Sequence, residues 1–182
     1  MNIERKLLTR IGIAVVAAVI IALVIWKFPG GPGVTPDDGL KTLDPRNATY
    51  HIDNKVVPLK NGEAYVQIEP GVTTHYKYFS QAEGLLNEDE VDDAGVILTA
   101  EPGGSGTFFY AVALVSTPGG FQGTNGILLG DRIAPQTIDV GNDKFEVNYA
   151  IRKPGEPFTT APSVGVTKYF QVRKGTFVEV KK

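Results

Sequence analysis

The chain has 182 residues, enough for one ordinary domain and a short appendage and too few for a large multidomain enzyme. It contains no cysteine, which excludes disulfides, thiol catalysis, Cys-ligated zinc, iron–sulfur clusters and a Cys-linked lipid anchor. A formal charge of −2 speaks against nucleic acid as a partner, because duplex binding calls for a basic surface, and 21 glycines with 12 prolines favour short strands and turns over a helix bundle.

The first predicted element is a helix. Ile11 to Trp26 reads IGIAVVAAVIIALVIW, sixteen uncharged positions preceded by Arg5, Lys6 and Arg10 and followed by Lys27. At ~1.5 Å per residue it is about 24 Å long, and the apolar residues at its ends bring residues 7–28 towards the ~30 Å of a bilayer core. Three cations before the run against one after it predict a cytoplasmic N-terminus and an exterior C-terminal part. A cleaved signal peptide needs small residues after a shorter core, whereas Trp26-Lys27-Phe28-Pro29 follows here. The expectation is an uncleaved, single-pass anchor in the cytoplasmic membrane, over residues 1–28.

Residues 29–42 read as a linker, since Pro29 to Gly39 holds seven Pro or Gly in eleven positions. Beyond Phe28 the chain has fourteen basic and nineteen acidic residues, net −5, so the exterior part should not cling to anionic lipid.

From residue 43 to 182 period-two alternation dominates. Ala64, Val66 and Ile68 oppose Glu63, Gln67 and Glu69; Phe145, Val147, Tyr149 and Ile151 oppose Lys144, Glu146, Asn148 and Arg152. Val164, Val166, Phe170 and Val172 give another strand, and Thr176 to Val180 a closing one. Ala94 to Ala100 and Thr107 to Val115 are apolar on both faces and predict a central hairpin covered on both sides. Turns are expected at Asp53-Asn54, Asn61-Gly62, Pro70-Gly71, Pro118 to Gly120, Asn125-Gly126, Gly141-Asn142, Pro154-Gly155 and Lys174-Gly175. One helical turn around Gln81 to Leu86 is the most helix the exterior part admits. The fold class is therefore all-β, an antiparallel sandwich or partly open barrel behind a single transmembrane helix.

Three constellations could carry chemistry. Glu83 to Asp93 (EGLLNEDEVDD) packs six carboxylates into eleven residues with no cation. In the register of a calcium loop, Asn87, Asp89 and Asp93 take positions three, five and nine and Val91 offers the backbone carbonyl. Leu85 at position one and Glu90 at the turn glycine depart from it, which leaves a solvated acidic loop as the competing reading. Pro102 to Thr107 is glycine-rich, but the strand Phe108-Phe109-Tyr110 follows rather than a helix, so it reads as a hairpin loop and not a phosphate cradle. Asp131, Arg132, Asn148, Arg152 and Glu156 could orient an anionic or glycan ligand through bidentate arginine contacts, or could form a lattice that fixes loops.

No catalytic residue is assigned. His51 and His75 are the only histidines; no G-x-S-x-G or HExxH pattern occurs, and serines lie outside any nucleophile context. A carboxylate-pair hydrolase is the alternative enzyme reading.

The motifs GGSGTFFYAVAL, GTNGILLGDRIAPQT, VNYAIRKPGEPFTTAPSVGV and KYF resemble those of a group of uncharacterised exported bacterial proteins with an N-terminal apolar helix, a linker and one β-rich domain. The resemblance covers Ala48 to Val172 and implies location and fold rather than activity. In that group the acidic loop looks like D-x-N-x-D-G-x-x-D-D, which Asn87, Asp89, Asp92 and Asp93 match and Leu85 and Glu90 do not. The expected protein is a non-enzymatic envelope module without a cofactor, calcium being the one ion its pattern admits. Its expected partners are the lipid bilayer and an envelope protein or glycan, and no nucleic acid.

Overall fold

The computed structural model describes residues 42–87 and 89–182. The expected membrane helix over 1–28 and nearly all of the linker lie outside these residues. Among the described residues no helix is long and apolar enough to cross a membrane.

After a 3-10 turn, Pro45–Asn47, twelve strands follow: β1 (Thr49–Ile52), β2 (Lys55–Pro58), β3 (Glu63–Glu69), β4 (Val72–Gly84), β5 (Asp93–Glu101), β6 (Phe108–Thr117), β7 (Gly120–Gly123), β8 (Ile127–Asp131), β9 (Ala134–Gly141), β10 (Lys144–Ile151), β11 (Val164–Arg173) and β12 (Thr176–Val180). All pairings between them are antiparallel. They form the β1–β2 hairpin, a six-stranded sheet β3-β4-β5-β6-β7 with β8 also on β6, and a four-stranded sheet β12-β11-β10-β9.

The predicted central hairpin is β5–β6, buried along almost its whole length. Its alternation serves two cores. Val96, Leu98, Tyr110, Val112 and Leu114 pack against Tyr50, Ile52, Val57 and Leu59 of the first hairpin and its flank. Ile97, Phe109, Ala111, Ala113 and Val115 pack against Phe145, Val147, Tyr149, Phe170 and Phe177 of the four-stranded sheet. The arrangement is a β-sandwich with a third layer, the hairpin, on its other side. Strands covered on both faces need apolar residues at every position, which is why these two runs lack alternation.

Positive φ at Asp53 and Asn54, Asn142 and Asp143, and Lys174 and Gly175 marks tight two-residue hairpin turns. One local expectation, the turn at Asn125-Gly126, fails, and the limit of one helical turn at Gln81 to Leu86 is not reached. Gln81 to Leu86 holds no helical turn, because β4 runs extended to Gly84 with Ser80 to Gly84 paired to β5. Asn125-Gly126 is not a hairpin turn: it joins β7 to β8, both on β6, and Asn125 bridges in parallel to His51 of β1. Neither residue has positive φ, and Gly126 instead leaves room for Ile52, whose Cγ1 would lie 2.9 Å from an added Cβ.

Candidate functional site

The acidic loop between β4 and β5 folds on its own hydrogen bonds. Asp93 is fully buried, and its carboxylate accepts the backbone N–H groups of Leu86 (2.9 Å), Asn87 (3.1 Å) and Ser116 (2.8 Å). Asp89 accepts Val91 N–H at 2.9 Å, the Asn87 amide at 3.0 Å and the Ser116 hydroxyl; the Asn87 side-chain oxygen accepts Asp89 N–H at 3.0 Å. Burial pushes the Asp93 carboxyl up, partly offset by the amides, while the Ser116 hydroxyl bond is the main cause that holds Asp89 below its ordinary value.

Two neighbouring acids with oppositely displaced pKa values are what a carboxylate-pair hydrolase requires. The geometry denies the chemistry, because Asp93 is sealed under backbone and could touch no substrate. The same commitment bears on calcium. Both Asp93 oxygens already face amide donors, Val91 is exposed, and among the described residues no three carboxylates or histidines converge.

The polar set of the C-terminal half separates into three places. Asp131 and Arg132 stand where the chain leaves β8 for β9, passing from one sheet to the other, and Arg132 adopts φ +48° to make that corner. Asp131 accepts Arg132 Nε at 3.0 Å and Nη2 at 2.6 Å, and also Thr107 N–H at 3.0 Å; Arg132 N–H donates to Thr107 O at 2.7 Å. The arginine beside it, then the Thr107 amide, hold the Asp131 carboxyl below its ordinary value. Arg152 donates to three carbonyls, Arg132 O (2.8 Å), Thr160 O (2.5 Å) and Phe158 O (3.1 Å). Phe158 lies over the Arg132 guanidinium, 3.4 Å from ring centroid to Cζ. These three residues bracket the β8–β9 corner and the 152–163 loop.

Glu156 accepts Lys153 N–H at 2.9 Å within its own turn, and Asn148 lies on the outer face of the four-stranded sheet, bonded to Thr137, Glu146 and Thr167. Neither hydrogen-bonds the arginines among the described residues. Phe121 packs against the first core.

A different surface emerges on β3 and β4. Glu63, Tyr65, His75 and Lys77 pair across these strands, with Glu101 of β5 beside His75. They occupy the face that the four-stranded sheet covers at its other end. Tyr65 is 69% exposed and stacks on the His75 ring, centroids 4.1 Å apart and planes 12° apart. His75 Nε2 lies 3.4 Å from Glu63 Oε2 yet has no hydrogen-bond partner among the described residues, and Lys77 Nζ pairs with Glu101 Oε2 at 2.9 Å. Phe79 sits at a bulge in β4, 49% exposed, with its ring edge-on to Phe109 at 5.5 Å. Along β3 past Tyr65, a shallow open depression is lined by Gln67, Ile68, Glu69 and Pro70. The signal was in the alternation: Tyr65 is an aromatic in the polar register of Glu63, Gln67 and Glu69.

Neither histidine hydrogen-bonds a serine among the described residues. Comparisons with protein-family models, curated proteins and solved structures give no match.

Proposed function

We propose that this chain is a single-pass membrane protein that displays its β domain beyond the cytoplasmic membrane as a non-enzymatic binding or structural module of the envelope. One observation carries the reading: an uncharged, apolar run from Ile11 to Trp26, flanked by three cations before and one after, is joined through a Pro/Gly spacer to a β domain. Support for a non-catalytic role comes from the fate of the polar clusters. Asp89, Asp93, Asp131, Arg132 and Arg152 are engaged by backbone and by one another, in positions that fix loops.

Fractionation tests the placement. The intact protein should stay with membranes through a carbonate wash, and protease added to spheroplasts should remove a C-terminal epitope. Release by carbonate, or a protected epitope, overturns it.

A further inference from the structure

We propose that the ledge formed by Tyr65, His75, Lys77 and Phe79 is a platform for an uncharged polysaccharide chain, an assignment that rests on the envelope reading and supplies that domain with a ligand. The two exposed rings are fixed before any ligand arrives, Tyr65 flat on His75 and Phe79 edge-on to Phe109. Aromatic groups already ordered lose little entropy on docking. His75 and Phe79 are four positions apart on β4, so at ~3.3 Å per residue, shortened by the bulge at Phe79, the rings stand at most about 13 Å apart along one face. An extended sugar chain can cover both, with further rings between them.

Sugar rings suit this surface on three counts. Their C–H faces lie against aromatic faces, while the hydroxyls at their edges both donate and accept hydrogen bonds. The ledge supplies both kinds of group, in the Lys77–Glu101 pair, each side chain 38% exposed, and in Glu63 beside His75. Lys77 is paired with Glu101, and Glu63 leaves the ledge slightly negative, so no cationic group is free to select a phosphate, an anionic lipid headgroup or an acidic peptide. The surface is an open sheet face, whereas small ligands occupy concave pockets that bury most of their area. A protein partner would need roughly 800 Å² per side around an apolar centre, and two rings interrupted by an ion pair do not provide one.

Calorimetry of the full chain in a polyoxyethylene micelle, which has no sugar headgroup, with cellohexaose, chitohexaose and maltohexaose tests this. At least one should bind saturably, and its disaccharide should bind at least about tenfold more weakly because it cannot reach both rings. Tyr65→Ala should weaken binding about tenfold, the loss of ~1.4 kcal/mol expected of one stacking contact, while Tyr65→Phe should keep it. An unchanged thermal midpoint for Tyr65→Ala shows that the fold is intact. Absence of binding to all three hexasaccharides, or indifference to Tyr65→Ala, overturns the proposal. So does light scattering in which Tyr65→Ala converts a dimer to a monomer, since the ledge would then belong to a second copy. Because this readout does not depend on location, it fails separately from the fractionation above.

Discussion

Asp93 shows how much one side chain decides here. Its two oxygens satisfy three amides, two from the start of the acidic loop and one from the end of β6, at the cost of a buried carboxylate. Asp93→Ala would leave those amides unpartnered and should lower unfolding free energy by roughly 2–4 kcal/mol, at about 1 kcal/mol or more per lost bond, measurable by denaturant melts. Calcium and chelator should give the same midpoint, since the oxygens such a site would use already have donors; a rise with calcium would contradict this. Acid dependence follows from the displaced carboxyls. Asp89 and Asp131 lie below the ordinary value of 3.8, so their stabilisation is complete above it and is lost as the pH falls through it to the displaced values. Asp93 is displaced upward, so its proton favours the fold and its ionisation weakens the fold as the pH rises through 3.8 to the raised value. Asp131→Asn should therefore flatten the acid-side loss of stability, and Asp93→Asn should remove a loss on the other side of 3.8. Melts across a pH series read both slopes. Composition announced six acids in this loop, but which of them would turn inward depended on where β6 ends, a long-range contact that no local pattern encodes.

Between elements, close approach is arranged by glycine and by one asparagine. Gly95 of β5 lies under the Phe145 ring, with no room for a methyl group. Gly95→Ala should cost about 3 kcal/mol by overpacking, and Phe145→Leu in the same chain should recover part of it; additive losses would refute the contact as the cause. Asn125 ties three layers together. His51 N–H donates to Thr124 O at 3.0 Å and Gly126 N–H donates to His51 O at 2.7 Å, seating β1 on the β7–β8 junction. The Asn125 side chain meanwhile accepts Phe177 N–H and donates to Phe177 O, both at 2.9 Å, closing the edge of β12 as a strand would. Asn125→Asp can accept but not donate, so it should lose about 2 kcal/mol in thermal or denaturant unfolding, partly restored by protonation at low pH. Alternation revealed β3, β10 and β11, because half-buried strands carry period two in their own residues. Asn125-Gly126 misled for the opposite reason: the dipeptide has turn chemistry, yet it is held extended by a partner seventy-odd positions away in sequence. The arginine bracket was half legible, since Asp131 and Arg132 are adjacent, while the carbonyls that Arg152 reaches belong to backbone and leave no mark on composition.

On the scale of the whole domain, layering sets where stability resides. The β5–β6 hairpin is covered by one core on each face, so opening it would expose both cores at once. Among the described residues, edge strand β3 pairs with no strand but β4 and carries Glu63, Gln67 and Glu69 outward with a register shift near its end, which discourages strand addition by another chain. The 152–163 loop is held mainly by Arg152 and its own turns. Amide exchange should rank accordingly. Protection at Val96, Ile97, Leu98, Ala111, Val112 and Ala113 should approach the free energy of global unfolding, with β10 close behind, while β3 and the 152–163 loop should exchange through small local openings. Arg152→Ala sharpens the test. It removes one bond that holds the loop to the β8–β9 corner and two that brace the loop itself, and should speed exchange in the loop and at Ile133 by about tenfold, leaving β5–β6 within its wild-type range. Uniform loss across the domain would instead mean that the corner bracket is part of the cooperative core, and the separation between core hairpin and peripheral loop would not hold.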